Sequence, residues 1–209
     1  MIHYASAVLK MATTPEAEPL TKVRECRHGT FCYFPHDFYI GGALERYGEY
    51  GETESALLMN YIKDGDVVVE VGANIGSHTV ALAKKTAPIG RVVAFEPQRV
   101  IFQMLCANLS LNSLLNVYAE HIALGDREGM LRVLPLDYTK EGNFGAAYLT
   151  DQGEPVVVLP LDKYVLPSCA LIKIDVEGME LEVLKGATET IKRLRPVLYV
   201  ENDREEKKE

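Results

Sequence analysis

The chain has 209 residues, 47% of them hydrophobic and 25% charged, and a formal net charge of −8. That size suits one α/β domain with a short extension, able to bury a core without disulfides or a structural metal. The acidic balance works against a nucleic-acid partner. The four cysteines (Cys26, Cys32, Cys106, Cys169) include no CxxC pair and the five histidines are scattered, so no metal site is expected. No apolar run approaches the ~20 residues that span a bilayer, and the N-terminus lacks a signal-like pattern, so a cytoplasmic protein with no membrane partner is expected.

In chain order, residues 1–20 read as a loop or mobile arm, with Thr13-Thr14-Pro15 among its breakers. Thr21 to Ile40 is rich in aromatics and reads as a small hairpin turning near His28-Gly29, packed as a lid or edge. Glu54–Ile62 has helical apolar spacing. The turn Lys63–Asp66 leads into Val67–Val71, a β-branched run of the kind buried on both faces in a parallel sheet. Helix Ser77–Thr86, strand Arg91–Glu96, helix Gln98–Asn112 and strand Val117–Ile122 follow. Between Asp126 and Pro160 the rhythm breaks: strands Met130–Leu134 and Val156–Leu159 flank a polar stretch around Tyr138–Gly145, an insertion placed to reach over a ligand crevice. Strand Leu171–Asp175, helix Glu180–Arg193 and strand Val197–Glu201 complete the alternation. The fold class expected is α/β, Rossmann-like, a mostly parallel sheet with helices on both faces. The division expected is 1–53 as an N-terminal extension and 54–209 as the main domain. The charged run after Glu201 opens like a helix, so the domain is expected to be incomplete at its C-terminus and to lack its last strand. Strand Val197–Glu201 would then be an exposed edge, and a homodimer follows as an expectation.

Chemistry concentrates at three strand ends. Val67–Val71 runs into Gly72-Ala73-Asn74-Ile75-Gly76, and a helix starts at once, which is where α/β folds bind nucleotides. Gly72 permits the tight turn and Gly76 a close helix. Asn74 occupies the position where a dinucleotide fingerprint needs glycine, so a pyrophosphate would be crowded. Asn tolerates unusual backbone angles. Glu70 would repel phosphates but suits the amino group or sulfonium of S-adenosylmethionine; a merely structural strand-turn-helix is the bland alternative. Glu96, in Phe95-Glu96-Pro97, stands where an acid accepts ribose hydroxyls, a device shared with NAD-binding proteins. Asp175 ends a third strand on the same edge, placed to orient an acceptor, take its proton or balance a sulfonium. Alternation puts Lys173 on the same face, so a structural ion pair is the rival role. Glu177 has the same two readings, since acids favour helix N-termini for dipole reasons. His78 could reach cofactor or hydroxyl from the start of its helix, or sit on the helix surface.

Taken together these stretches resemble the FkbM family of methyltransferases. The resemblance rests on Tyr47-Gly48-Glu49-Tyr50 with Glu54, Glu70–Gly76, Phe95–Pro97, Ala123–Asp126, Lys173–Glu180 and Arg195–Asn202. It implies a class I methyltransferase fold using S-adenosylmethionine, with O-methylation of a sugar or natural-product hydroxyl as the typical work. It further implies that Gly72, Asn74 and Gly76 line the methionine end, that Glu96 with Pro97 holds the ribose, and that Ala123 and Leu124 border the adenine. Tyr50 and Glu54 would cover the cofactor from the N-terminal side. Asp175, Glu177 and His78 are the candidate bases, and Asn143-Phe144-Gly145 a candidate acceptor contact. The rival readings are a nicotinamide-dependent enzyme, a methyltransferase acting on a macromolecule, and a non-catalytic binding domain.

Overall fold

A computed structural model describes residues 19–146, 149–150 and 152–201. The expected arm falls almost wholly outside the described residues, as does the charged run beyond Glu201. The hairpin forms as β1 (Lys22–Cys26) and β2 (Gly29–Tyr33), antiparallel across the expected turn. Two helices follow, α1 (Ile40–Tyr47) and α2 (Glu52–Met59). The first was not anticipated, because Gly41-Gly42 in its opening turn weakens helix propensity. Tertiary context supplies the start: Asp37 Oδ2 accepts the Gly41 N–H at 2.8 Å, as an N-terminal cap would.

The central sheet comprises β3 (Val67–Val71), β4 (Arg91–Phe95), β5 (Val117–Glu120), β10 (Leu171–Ile174) and β11 (Val197–Val200), interleaved with α3 (Thr79–Thr86), α4 (Arg99–Leu111), α5 (Glu180–Gly186) and α6 (Thr188–Leu194). Its order is β11-β10-β3-β4-β5 and every pairing is parallel. Alternation along β3 divides its side chains between two cores. Val69 and Val71 face Val93, Phe95, Ile172 and Ile174, beneath Val183 and Ala187. Val68 faces Val92, Ala94 and Leu171, beneath Leu58, Leu82 and Leu105. Both faces are covered, and so these strands read as near-continuous apolar runs. Strand β11 lies at an edge with Leu198 partly exposed.

The insertion forms a second sheet, β6-β9-β7-β8, from β6 (Ala123–Leu124), β7 (Gly129–Val133), β8 (Leu149–Thr150) and β9 (Glu154–Leu159). A 3-10 turn over Leu161–Lys163 leads back to the main sheet. The long helix expected over 180–193 is two helices. Asp162 explains the restart, accepting the Glu189 and Thr190 N–H groups at 3.0 and 2.7 Å. A cap contributed from the 3-10 turn leaves no local signature in the helix sequence.

The hairpin is held on the main domain by two asparagines one turn apart, Asn108 on α4 and Asn112 at its C-terminal cap. Asn108 Oδ1 accepts the Cys32 N–H, while its Nδ2 donates to the Cys32 and Ile75 carbonyls at 3.0 and 2.8 Å. Asn112 does the same for Thr30, accepting from its N–H at 3.0 Å and donating to its carbonyl at 2.7 Å. The two side chains thus take the place of a neighbouring strand for β2. Phe31, Tyr33 and Phe34 then bury against Ile75, Val80, Ile101 and Met104.

Candidate active site

Parallel register brings Gly72, Glu96, Asp175 and Glu201 to the same end of four adjacent strands. A cleft of about 320 Å³ opens there, at the edge where open α/β sheets bind ligands. The volume is at the lower end of small-molecule sites.

The glycine turn forms one wall. Gly72 has a φ of +84°, and a Cβ there would collide with the Asp175 carbonyl; only glycine lets β3 and β10 close at this point. Gly72 and Ala73 both donate their N–H groups to the Phe95 carbonyl, at 2.9 and 3.0 Å. Asn74 sits at φ +51°, a left-handed conformation asparagine accepts more readily than most residues. Its N–H donates to Glu96 Oε2 at 2.9 Å, and the Gln98 N–H donates to Glu96 Oε1 at 2.8 Å. Glu96 is therefore clamped between the turn and the start of α4, with lone pairs left on both oxygens. Burial pushes its carboxyl up to about 7, against the downward pull of the two N–H groups.

The opposite wall is a buried ionic network. Lys173, 1% exposed, donates to Asp175 Oδ2 at 2.7 Å and stands 3.6 Å from Glu54 Oε1. Burial would depress the lysine, yet Asp175, Glu70 and Glu54 outweigh it and hold the ammonium charged. Burial would likewise raise Asp175, but a hydrogen bond with Glu201 and the Lys173 charge bring it below the usual range. Both nitrogens of His78 are engaged: Nδ1 lies 2.8 Å from Ser55 Oγ and Nε2 3.3 Å from Glu54 Oε2. Against burial, that imidazole helps hold Glu54 below its ordinary value. Tyr50 stacks at a tilt on His78, 5.8 Å between centroids.

Of the residues singled out from sequence, Tyr50, Glu54, Gly72, Asn74, His78, Glu96, Pro97, Ala123, Leu124, Asp175 and Glu177 all line this cleft. Glu177 is exposed at its rim. Two lie elsewhere among the described residues. Glu70 is 1% exposed, accepts from Thr79 Oγ1 at 2.7 Å and pairs in register with Lys173, one layer below the cleft. Gly76 packs under α4, where a Cβ would press on Leu105 Cδ1 at 2.7 Å. Lys173 emerges as the centre of the network as well as Asp175's partner.

The roof joins distant segments. Asp37 Oδ1 accepts the Phe144 N–H at 3.2 Å, and the Phe38 and Gly142 N–H groups donate to the Gly142 and His36 carbonyls. Phe144 is buried against Phe34 and Tyr138. Its flanking residues Asn143 and Gly145 line the cleft, together with Tyr39. Gln98 Nε2 donates to the Phe144 carbonyl at 2.9 Å, whereas Gln98 Oε1 is buried without a donor. Sequence reasoning missed Ser55, Gln98 and Tyr39 as site residues, and treated Glu201 only as part of the family pattern.

The family model described as the methyltransferase FkbM domain matches residues 70–208. The chain belongs to this family. This FkbM chain is 30% identical over 146 residues to the hexuronic acid methyltransferase AglP of Haloferax volcanii, covering 68% of this chain and 58% of that protein. It is 31% identical over 160 residues to methyltransferase sdnD of Sordaria araneosa, covering 58% and 60% of the two chains. The chain thus spans about three fifths of the length of these curated relatives. Among solved structures it matches the methyltransferase FkbM from Methylobacillus flagellatus KT, with a TM-score of 0.50 and 26% identity over 66% of this chain and 33% of that one. A Rossmann-like α/β methyltransferase fold is common to both. No helix among the described residues is long and apolar enough to cross a membrane.

Proposed function

We propose that this FkbM chain transfers a methyl group from S-adenosylmethionine to a hydroxyl of a small sugar or natural-product acceptor. The observation that carries the reading is Glu96. Its two oxygens are held by backbone N–H groups from the glycine turn and from the cap of α4, and what remains is acceptor capacity of the kind a ribose diol would use. The donor set fits the cofactor in two further respects. Gln98 Oε1 is a buried acceptor in need of a donor at the adenosine side of the cleft. The opposite wall carries Asp175, Glu54 and Glu201, which suit a cation. Gly72 and Asn74 border the methionine end, and Ala123 and Leu124 offer an apolar edge to the base.

When bound, the cofactor supplies a methyl group already activated on a positively charged sulfur. The protein then aligns an acceptor oxygen with it and excludes water. Asp175 is the group we assign to take the hydroxyl proton. Lys173 fixes its Oδ2 and keeps it ionised. An attacking hydroxyl becomes strongly acidic as its oxygen gains a third bond, so a carboxylate of low basicity suffices. His78, with both nitrogens occupied, positions Glu54 and through it Lys173. Glu177, at the rim, orients the acceptor. Similarity to two methyltransferases supports the reaction class, and the one named for hexuronic acid supports a small acceptor. A homodimer through the edge of β11 belongs to the same proposal, and sedimentation velocity tests it.

The deciding experiment is calorimetry with S-adenosylhomocysteine and with NAD, followed by an acceptor screen that detects released S-adenosylhomocysteine. Micromolar binding of the first and none of the second is expected. Preferential NAD binding would replace this reading with that of a nicotinamide enzyme.

A further inference from the structure

Asp175 has a second carboxyl beside it. Ile174 and Val200 are the last registered partners of β10 and β11, and the next residue on each strand is an acid, Asp175 and Glu201. The Glu201 N–H donates to the Ile174 carbonyl at 2.9 Å and the Asp175 N–H to the Val71 carbonyl at 3.0 Å, so parallel pairing fixes both backbones at the cleft edge. Both side chains line the cleft, and they are hydrogen-bonded to each other. An ionised carboxylate only accepts hydrogen bonds, so this contact requires one proton held between the two groups. Two carboxyls in contact lose their protons in separate steps, because the second charge must form beside the first.

The surroundings decide which side carries the proton. Lys173 is the one lysine or arginine among the described lining residues, and its ammonium is engaged by Asp175 Oδ2 and Glu54 Oε1. It favours the ionised form of Asp175, and the proton falls to Glu201. Glu54 on α2, Glu70 on β3 and Glu96 beyond the glycine turn place further acidic groups around the pair, and His78 faces it from the start of α3. Tyr50 and Tyr199 also face it. Burial first, and then these carboxylates, push both phenols up, so neither brings a charge.

We infer that Asp175 and Glu201 form one acid–base unit that holds a proton in the free enzyme, releases it when a sulfonium-bearing ligand binds, and takes up the acceptor's hydroxyl proton during transfer. This rests on the methyltransferase reading above and adds Glu201 to its chemistry. A positive charge brought near the pair favours its fully ionised form, which then has room for a proton. In transfer the pair accepts the hydroxyl proton as the oxygen–carbon bond forms and the carbon–sulfur bond breaks. The site gains a proton as the sulfur becomes neutral, so its net charge is the same before and after. That constancy matters in a partly enclosed cleft, where an uncompensated charge is costly.

S-adenosylmethionine and S-adenosylhomocysteine differ by one methyl group and one positive charge, so comparing them isolates the effect. Calorimetry of each ligand in phosphate, MES and imidazole buffers at about pH 6.5 counts the protons released, from the dependence of the heat on the buffer's ionisation enthalpy. Protons lost from Glu96 are common to both ligands and cancel in the difference. Wild type should release between about one half and one proton more with S-adenosylmethionine, and the affinity ratio in its favour should rise by up to about tenfold per pH unit between about pH 5.5 and 7.5. Glu201→Gln keeps a donor toward Asp175 without a titrating proton, and should abolish the excess. Asp175→Asn removes the other half of the pair and should do the same. A merely structural contact would leave the proton count unmoved. Equal counts for the two ligands in wild type, a comparison that needs neither variant, overturn the inference while the cofactor reading stands. So does an excess that survives in either variant, which would place the proton on another carboxyl such as Glu54. Binding of neither ligand would bring down both.

Discussion

Glu96 offers the sharpest link between the fold and a measurement. Its carboxyl is 3% exposed and is pushed by burial up to about 7 from an ordinary 4.5. A carboxyl raised in the folded state binds its proton more tightly there than in the unfolded chain. Its contribution to stability is therefore fully present below pH 4.5 and is lost as pH rises through 7. Each unit corresponds to 1.36 kcal/mol, so the loss across this window is roughly 3 kcal/mol. Urea unfolding of the ligand-free protein at half-unit steps from pH 4.5 to 8, compared with Glu96→Gln, isolates this group. Other titrating residues, Glu70 among them, are common to both proteins. Wild type should lose roughly 3 kcal/mol more than the variant between the two ends. Ribose hydroxyls donating to the ionised carboxylate would pull the other way, so S-adenosylhomocysteine should bind about tenfold more weakly at pH 6 than at pH 8. Parallel stability curves for the two proteins would refute the raised carboxyl, and pH-independent binding would refute its role toward the ribose.

Further expectations concern the network and the hairpin. Asp175→Asn should cut single-turnover methyl transfer by roughly 10²–10⁴-fold, the scale of a lost acid–base group, with little change in S-adenosylhomocysteine affinity; near-normal transfer with a lowered melting temperature would make the residue structural. Lys173→Met leaves Asp175 and Glu54 without their shared cation, and should cost about 3–5 kcal/mol in urea unfolding, the usual penalty for breaking a buried pair. A variant as stable as wild type would mean that the carboxylates share protons or take up water instead. Asn108→Ala removes a donor and acceptor that serve Cys32 and Ile75, and should cost about 2–4 kcal/mol through unsatisfied backbone groups. Hydrogen exchange at the Cys32 amide should rise by more than at Val92 in the central sheet; equal changes at both would refute local anchoring.

The sequence by itself determined the sheet and the edge that carries the site. Val67–Val71 and Leu171–Ile174 are apolar at every position but Glu70 and Lys173, as strands buried on both faces tend to be, and alternation with helical segments leaves a parallel arrangement as the economical solution. Parallel strands end on the same side when their crossovers do, which is why Gly72, Glu96 and Asp175 could be placed together before any contact was known. Local chemistry also sufficed for Asn74, whose side chain tolerates the left-handed turn it adopts.

What only the tertiary structure decided are the matters set by partners far apart in sequence. Glu70 looked available for a ligand because it immediately precedes the turn; its alternation instead turns it to the face of Thr79 and Lys173, below the cleft. His78 could be read as reaching a ligand or as lying on the helix surface; it is buried, and Ser55 and Glu54, on α2, occupy both of its nitrogens. The restart of the helix at Thr188 depends on Asp162, and the start of α1 on Asp37, neither of which is legible from helical periodicity. The roof over the cleft joins Asp37 to Phe144, a contact spanning 107 positions. Periodicity reports which face of an element is buried, because that depends on spacing within a few residues. Which polar atom meets which depends on where the chain returns, and that information exists only once the layers have packed.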